Sequence, residues 1–113
     1  MKENIRKIIE RTSRLWGVTT EEVFGRSRKQ PLPFARATIA AILREQYDLT
    51  TIYIGEILNR SHCTVLHYFK LYEAEYKYNK KFHDIAFEIK YALCDATIEF
   101  REELEEEYNE IMA

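Results

Sequence analysis

A run of polar side chains at residues 59–64, Asn-Arg-Ser-His-Cys-Thr, leads directly into an apolar pattern of helical spacing. His62 and Cys63 are residue types that bind zinc or form a nucleophile–base pair. A structural zinc site needs four ligands, and neither Cys94 nor His83 lies at a recognisable ligand spacing. As consecutive residues, His62 and Cys63 diverge by about 100° on a helix. We therefore predict no metal, no cofactor and no catalytic residue, which leaves a helix cap or contact with an external partner.

The surrounding sequence indicates how this run is presented. Thr50 can cap a helix of about two turns, and Asn59 can take the left-handed conformation of a tight turn. Ser61 can cap the next helix, which has apolar residues at helical spacing. A short helix, a tight turn and a longer helix form the helix-turn-helix pattern. In that motif the first turn of the second helix enters the DNA major groove. The residues placed there are Ser61, His62, Cys63 and Thr64.

A basic loop is predicted upstream, at residues 25–33 (GRSRKQPLP). It follows a short helix capped by Thr19 and precedes a strong helix over residues 34–47. The loop has three cations with no acidic residue between them: Arg26, Arg28 and Lys29. Such a loop suits a narrow, electronegative groove of DNA.

Composition favours an all-α fold of ordinary domain size. Apolar residues make up 46% of the 113 residues, and there are only 3 Gly and 2 Pro. Residues 1–70 carry a net charge of +5 and residues 71–113 a net charge of −7. This division predicts that the first part faces a polyanion. The two cysteines read as reduced thiols, and no membrane-spanning or signal segment is evident, so we expect a cytoplasmic protein.

Several motifs in order resemble the C-terminal DNA-binding domain of the bacterial replication initiator DnaA. They are the basic loop Gly25-Arg26-Ser27-Arg28, Arg36 near the start of a long helix, Ile54-Gly55, and the run from Asn59 to Val65. The resemblance covers roughly residues 3–76. It implies a Trp-repressor-like helix-turn-helix bundle that binds double-stranded DNA in replication initiation or regulation.

The resemblance also implies roles for single residues. Arg28 would read the minor groove, while His62 and Thr64 would read base edges in the major groove. Phosphate contacts are expected from Arg36, Thr50 and Arg60.

Three positions depart from the family pattern. Ser61 replaces the usual Asp, Cys63 replaces the first Thr, and Asn59 replaces a Gly. Asp accepts a hydrogen bond from cytosine, whereas Ser both donates and accepts, and a thiol does either weakly. Each good base contact contributes about 1–3 kcal/mol of discrimination, so the changes at Ser61 and Cys63 are expected to shift the preferred sequence or relax specificity. The turn is expected to tolerate Asn59.

The C-terminal part is predicted to be a separate extension. Residues 1–79 form the DNA-binding domain, and residues 80–113 form a long, acidic amphipathic helix. This extension could be a solvated face, a surface for a second copy or a protein partner, or a mimic of DNA over the basic loop. The alternative function is therefore a protein-interaction module in which the DNA-binding fold is vestigial. No GxxxxGK[ST] motif occurs, so no nucleotide binding is expected.

Overall fold

The computed structural model describes residues 3–94. All regular structure in this range is helical, which confirms the predicted all-α class. The six helices are α1 (Glu3–Trp16), α2 (Thr20–Phe24), α3 (Leu32–Tyr47), α4 (Thr51–Leu58), α5 (His62–Tyr78) and α6 (Lys80–Cys94).

The helix ends lie where short polar residues and glycine predict them. Gly17 ends α1 with φ 74°, a conformation that costs glycine little. Thr19 and Glu22 form a reciprocal capping box at the start of α2. Thr50 caps α4 by accepting a hydrogen bond from the amide of Tyr53 at 3.1 Å. The helix predicted over residues 34–47 is observed as α3, which begins two residues earlier than predicted.

The core is built around α3, whose residues from Ala35 to Leu43 are all buried. Helices α1, α4, α5 and α6 pack against it. Because α3 is apolar on nearly every side, it is the central helix of the bundle. At one end of the core, Trp16 packs against Phe34 and Phe82, with ring centroids 5.7 and 5.4 Å away.

The helix-turn-helix depends on a close approach of backbone to backbone. Asn59 ends α4 in the left-handed conformation with φ 56°, as predicted. The amide of Arg60 then donates to the carbonyl of Gly55 at 2.8 Å. A Cβ atom at position 55 would lie 2.5 Å from the carbonyl oxygen of Arg60, so only glycine allows the turn to close in this form.

Helix α6 packs on the same core as the other helices. Phe82, Ala86 and Ile89 are buried, and Phe82 completes the aromatic cluster with Trp16 and Phe34. Phe82 and Ala86 belong to the main core, and Ile89 packs in a second cluster with Ile8 and Ile42. Helix α6 therefore packs against helices on the other side of the predicted division after Asn79. The acidic remainder of the predicted helix lies outside the described residues. Within the described range, no helix is long and apolar enough to cross a membrane.

Candidate nucleic-acid interface

The first turn of α5 exposes its polar side chains. Ser61, His62 and Cys63 are exposed, and Thr64 is half-buried. The Ser61 hydroxyl accepts from the amide of Thr64 at 3.3 Å and lies 3.1 Å from the Thr64 hydroxyl. Ser61 is thus the predicted cap. The His62 Nε2 atom lies 3.6 Å from the Cys63 Sγ atom, a contact on the surface of the helix.

The basic loop runs from the end of α2 to the start of α3. All three of its cations, Arg26, Arg28 and Lys29, are exposed. The amide of Lys29 donates to the Ser27 hydroxyl at 3.3 Å, and its carbonyl accepts from the amide of Leu32 at 2.9 Å. These bonds shape the loop locally. They leave the charged groups directed to solvent.

The side chain of Arg36, on α3, anchors the start of the basic loop. It is only 2% exposed. Its guanidinium donates to the carbonyls of Val23 at 2.8 Å, Ser27 at 2.6 Å, Glu22 at 2.9 Å and Gly25 at 3.1 Å. The planar fork of arginine allows one side chain to bind four acceptors. Arg36 therefore holds the end of α2 and the start of the loop, a role that the sequence did not indicate. Its predicted phosphate contact stays a prediction.

Arg60 joins the same loop to the helix-turn-helix. Its Nη1 atom donates to the carbonyls of Leu58 at 3.3 Å and Asn59 at 3.0 Å, within the turn. Its Nη2 atom donates to the carbonyl of Gly25. Gly25 thus accepts from both Arg36 and Arg60.

The two guanidiniums also interact electrostatically. Burial lowers the pKa of Arg36, the nearby charge of Arg60 lowers it further, and Tyr68 opposes both effects. Two cations are therefore held close together by carbonyl oxygens. A site of this kind favours an anionic ligand, because such a ligand relieves their repulsion.

A cleft of about 750 Å³ lies between the loop and α5. Seven of the ten predicted site residues line it: Arg26, Arg28, Arg36, Arg60, Ser61, Cys63 and Thr64. Lys29, Thr50 and His62 lie outside its lining. No acidic side chain is among the described residues that line it. The fold thus brings the predicted loop and the predicted recognition helix to one positively charged surface.

Four further residues line the cleft and were not among the predicted site residues: Pro33, Asn59, His67 and Tyr68. His67 is exposed one helical turn after Cys63, so its spacing was a usable signal for this face of α5. Tyr68 is buried, and no sequence signal distinguished it from an ordinary core tyrosine.

No metal-binding arrangement is found among residues 3–94, where no group of three or more His, Cys, Asp or Glu side chains could hold an ion. His62 and Cys63 are surface neighbours on the first turn of a helix. Within the polar run, Ser61 caps α5, and the side chains of His62 and Cys63 are exposed.

A short helix (α4), a tight turn and a longer helix (α5) whose polar first turn borders a basic cleft define a helix-turn-helix DNA-binding protein. Comparison with known proteins makes the class specific. The chain belongs to the family described as the bacterial dnaA protein helix-turn-helix, whose profile matches residues 5–71. The resemblance seen in the sequence is thereby confirmed.

Individual relatives agree with this family. The chain is 30% identical over 79 residues to chromosomal replication initiator protein DnaA 1 of Chlamydia pneumoniae, which covers 70% of this chain and 17% of the relative. It is 32% identical over 88 residues to chromosomal replication initiator protein DnaA of Borrelia duttonii, covering 77% of this chain and 18% of the relative. The chain thus spans less than a fifth of the length of these relatives.

Proposed function

We propose that this chain binds double-stranded DNA with sequence preference, with the first turn of α5 in the major groove and the basic loop in the adjacent minor groove. The observation that carries the proposal is the cleft, which is lined by four arginines and by the polar first turn of α5, with no acidic residue among its described lining residues. A surface that combines cations with hydrogen-bonding groups suits phosphates and base edges together.

The exposed groups divide between the two grooves. His62 and Cys63 project from the first turn of α5, where a recognition helix contacts base edges. Thr64 uses its hydroxyl near Ser61, so its methyl group is the part that suits a thymine methyl. Arg28 is exposed on the loop and suits a narrow minor groove, where arginine is attracted by the enhanced negative potential.

Phosphates are expected to contact the edges of the same surface. Thr50 and Ser61 cap the starts of α4 and α5, and helix N-termini favour anions. Arg26 and Lys29 flank Arg28 on the loop. These contacts would set the register of the protein on the duplex without reading its sequence.

The names of the relatives support a role in replication initiation or its regulation, because both are chromosomal replication initiators. We propose that this chain contributes DNA recognition to such a process. It does so without catalysis and without a bound nucleotide.

A salt titration with matched variants tests the proposal. The full chain should bind a duplex selected from a random pool, and its affinity should fall by orders of magnitude between about 50 and 200 mM salt. Arg28→Ala should weaken binding by about tenfold or more, whereas Lys81→Ala removes the same charge from an exposed site on α6 outside the cleft and should change binding little. Equal losses from both variants would contradict the assignment of the loop.

A further inference from the structure

The position of the basic loop relative to α5 is fixed by hydrogen bonds rather than by loop length alone. The carbonyl of Gly25, at the start of the loop, accepts from the guanidiniums of Arg36 and Arg60. Arg36 belongs to the buried face of α3, and Arg60 lies immediately before the cap of α5. The loop is therefore tied both to the core and to the recognition helix.

Arg60 is suited to this task by its geometry. Its two terminal nitrogens point to different partners, Nη1 to carbonyls of its own turn and Nη2 to the loop. A lysine ammonium is a point donor and cannot span these two groups in the same way. The side chain is half-buried, so the contacts are partly shielded from water.

We propose that Arg60 is a positioning residue that fixes the separation between the loop and α5, so that the minor-groove and major-groove contacts are compatible with one base-pair spacing only. This inference rests on the proposed function, because it concerns how the two groove contacts are coupled. It goes beyond that function because it assigns Arg60 the role of setting the spacing of the two contacts on the DNA, rather than the role of contacting a phosphate.

The spacing of the two contacts can be changed in the DNA. Adding or removing one base pair moves the two contact segments by about 3.4 Å along the axis and about 34° around it. A protein whose two reading elements are rigidly joined must lose one contact on such a duplex. A protein whose loop moves independently of α5 can follow the change.

The test compares three duplexes with the full-length chain. The base preferences of the selected site are first mapped with two variants. Base pairs whose preference is lost in Arg28→Ala define the segment contacted by the loop, and base pairs whose preference is lost in His62→Ala define the segment contacted by α5. One base pair is then inserted or removed between the segments. We expect the unmodified chain to lose about tenfold or more in affinity for both altered duplexes, as for the loss of one good base contact.

In Arg60→Ala and Arg60→Lys, we expect the affinity for the selected duplex to fall while the difference among the three duplexes shrinks to about threefold or less. Arg60→Lys keeps the charge, so a change of spacing preference in this variant cannot come from lost phosphate attraction. Thermal unfolding of each variant shows that the helices are intact, and Arg60→Gln serves if either one fails to fold.

Two results would overturn the inference. In one, the Arg60 variants weaken binding to all three duplexes by the same factor, as a phosphate contact would. In the other, the unmodified chain tolerates the altered spacing. Failure of the proposed function is a different result, in which Arg28→Ala binds as well as the unmodified chain or no duplex is bound at all.

Discussion

Arg60 in the turn of the helix-turn-helix donates a hydrogen bond to the carbonyl of Gly25 at the start of the basic loop, 35 residues earlier in the chain. The same carbonyl also accepts from Arg36. The shape of the basic cleft therefore depends on tertiary contacts, in which backbone oxygens hold two cations. Loss of either arginine should act on the shape of the cleft as well as on its charge.

Arg36→Met should destabilise the fold mainly because it removes hydrogen bonds, and not only because it removes a charge. The four carbonyls that Arg36 binds would lose their common donor, and a single buried acceptor left unsatisfied costs about 1–3 kcal/mol. We expect a loss of at least about 2 kcal/mol in the free energy of unfolding, measured by urea denaturation.

Arg44→Met is the matched control for that experiment. Arg44 is on the same helix but is exposed, with one carbonyl contact to Leu49 and an ion pair with Asp48 at 3.7 Å. Its loss should cost no more than about 1 kcal/mol. If both variants lose the same stability, the network around Arg36 does not support the loop as described.

Phe82→Ala should show that α6 belongs to the folded body. Phe82 is 0% exposed and contacts the rings of Trp16, Phe34 and Tyr72. Truncating a buried Phe costs about 3–5 kcal/mol. Phe87 on the same helix is 53% exposed, so Phe87→Ala should cost less than about 1 kcal/mol. A small effect of Phe82→Ala on the urea midpoint would instead support the predicted boundary after Asn79.

Stability should fall at alkaline pH through Tyr72 and Lys90. Burial raises the pKa of Tyr72. Burial opposes charge on Lys90, but the carboxylate of Glu45 at 2.8 Å and the hydroxyl of Tyr72 outweigh it and raise the pKa of Lys90. Both groups keep their protons longer when folded than when unfolded. Their contribution to the free energy of unfolding is therefore complete at pH values below their ordinary pKa values near 10. It is lost as the pH rises through their higher pKa values in the folded protein.

Tyr72→Phe tests this dependence because it keeps the ring and removes the titrating hydroxyl. We expect the free energy of unfolding of the variant to decline less steeply above about pH 10 than that of the unmodified chain. The measurement is urea denaturation at a series of pH values. Parallel curves would exclude a contribution from this hydroxyl.

Bound DNA should protect Cys63 from alkylation. The thiol is exposed on the first turn of α5 and lines the cleft. In a Cys94→Ser background, where Cys63 is the sole thiol of the sequence, we expect a maleimide to react several-fold more slowly when the selected duplex is present. A duplex of unrelated sequence at the same concentration is the control. An unchanged rate would mean that α5 does not enter the groove through its first turn.

Local signals in the sequence predicted the helices well. Thr19, Thr50 and Ser61 cap where hydroxyl side chains precede apolar periodicity, and Gly17 and Asn59 take the left-handed conformation of helix ends. These features depend on neighbouring residues alone. They also placed the polar run on the first turn of a recognition helix.

Features that depend on distant residues could not be predicted. The acidic, amphipathic pattern of residues 80–113 suggested a separate extension after Asn79, but Phe82 completes an aromatic cluster with residues from α1 and α3. Arg36 carried no sign that its guanidinium turns inward, because arginine is rarely buried and its four acceptors are backbone carbonyls. The sequence of side chains does not indicate which backbone carbonyls will accept hydrogen bonds from Arg36.

Chemical interference on a selected duplex tests the central claim most directly. Dimethyl sulfate methylates guanine N7 in the major groove and adenine N3 in the minor groove, so one reagent reports on both. Duplexes are selected with the full chain, methylated and separated into bound and free fractions. The account predicts that guanine N7 methylation blocks binding in one segment and adenine N3 methylation blocks it in the adjoining segment. Interference confined to one groove, or selection that enriches no sequence, would contradict it.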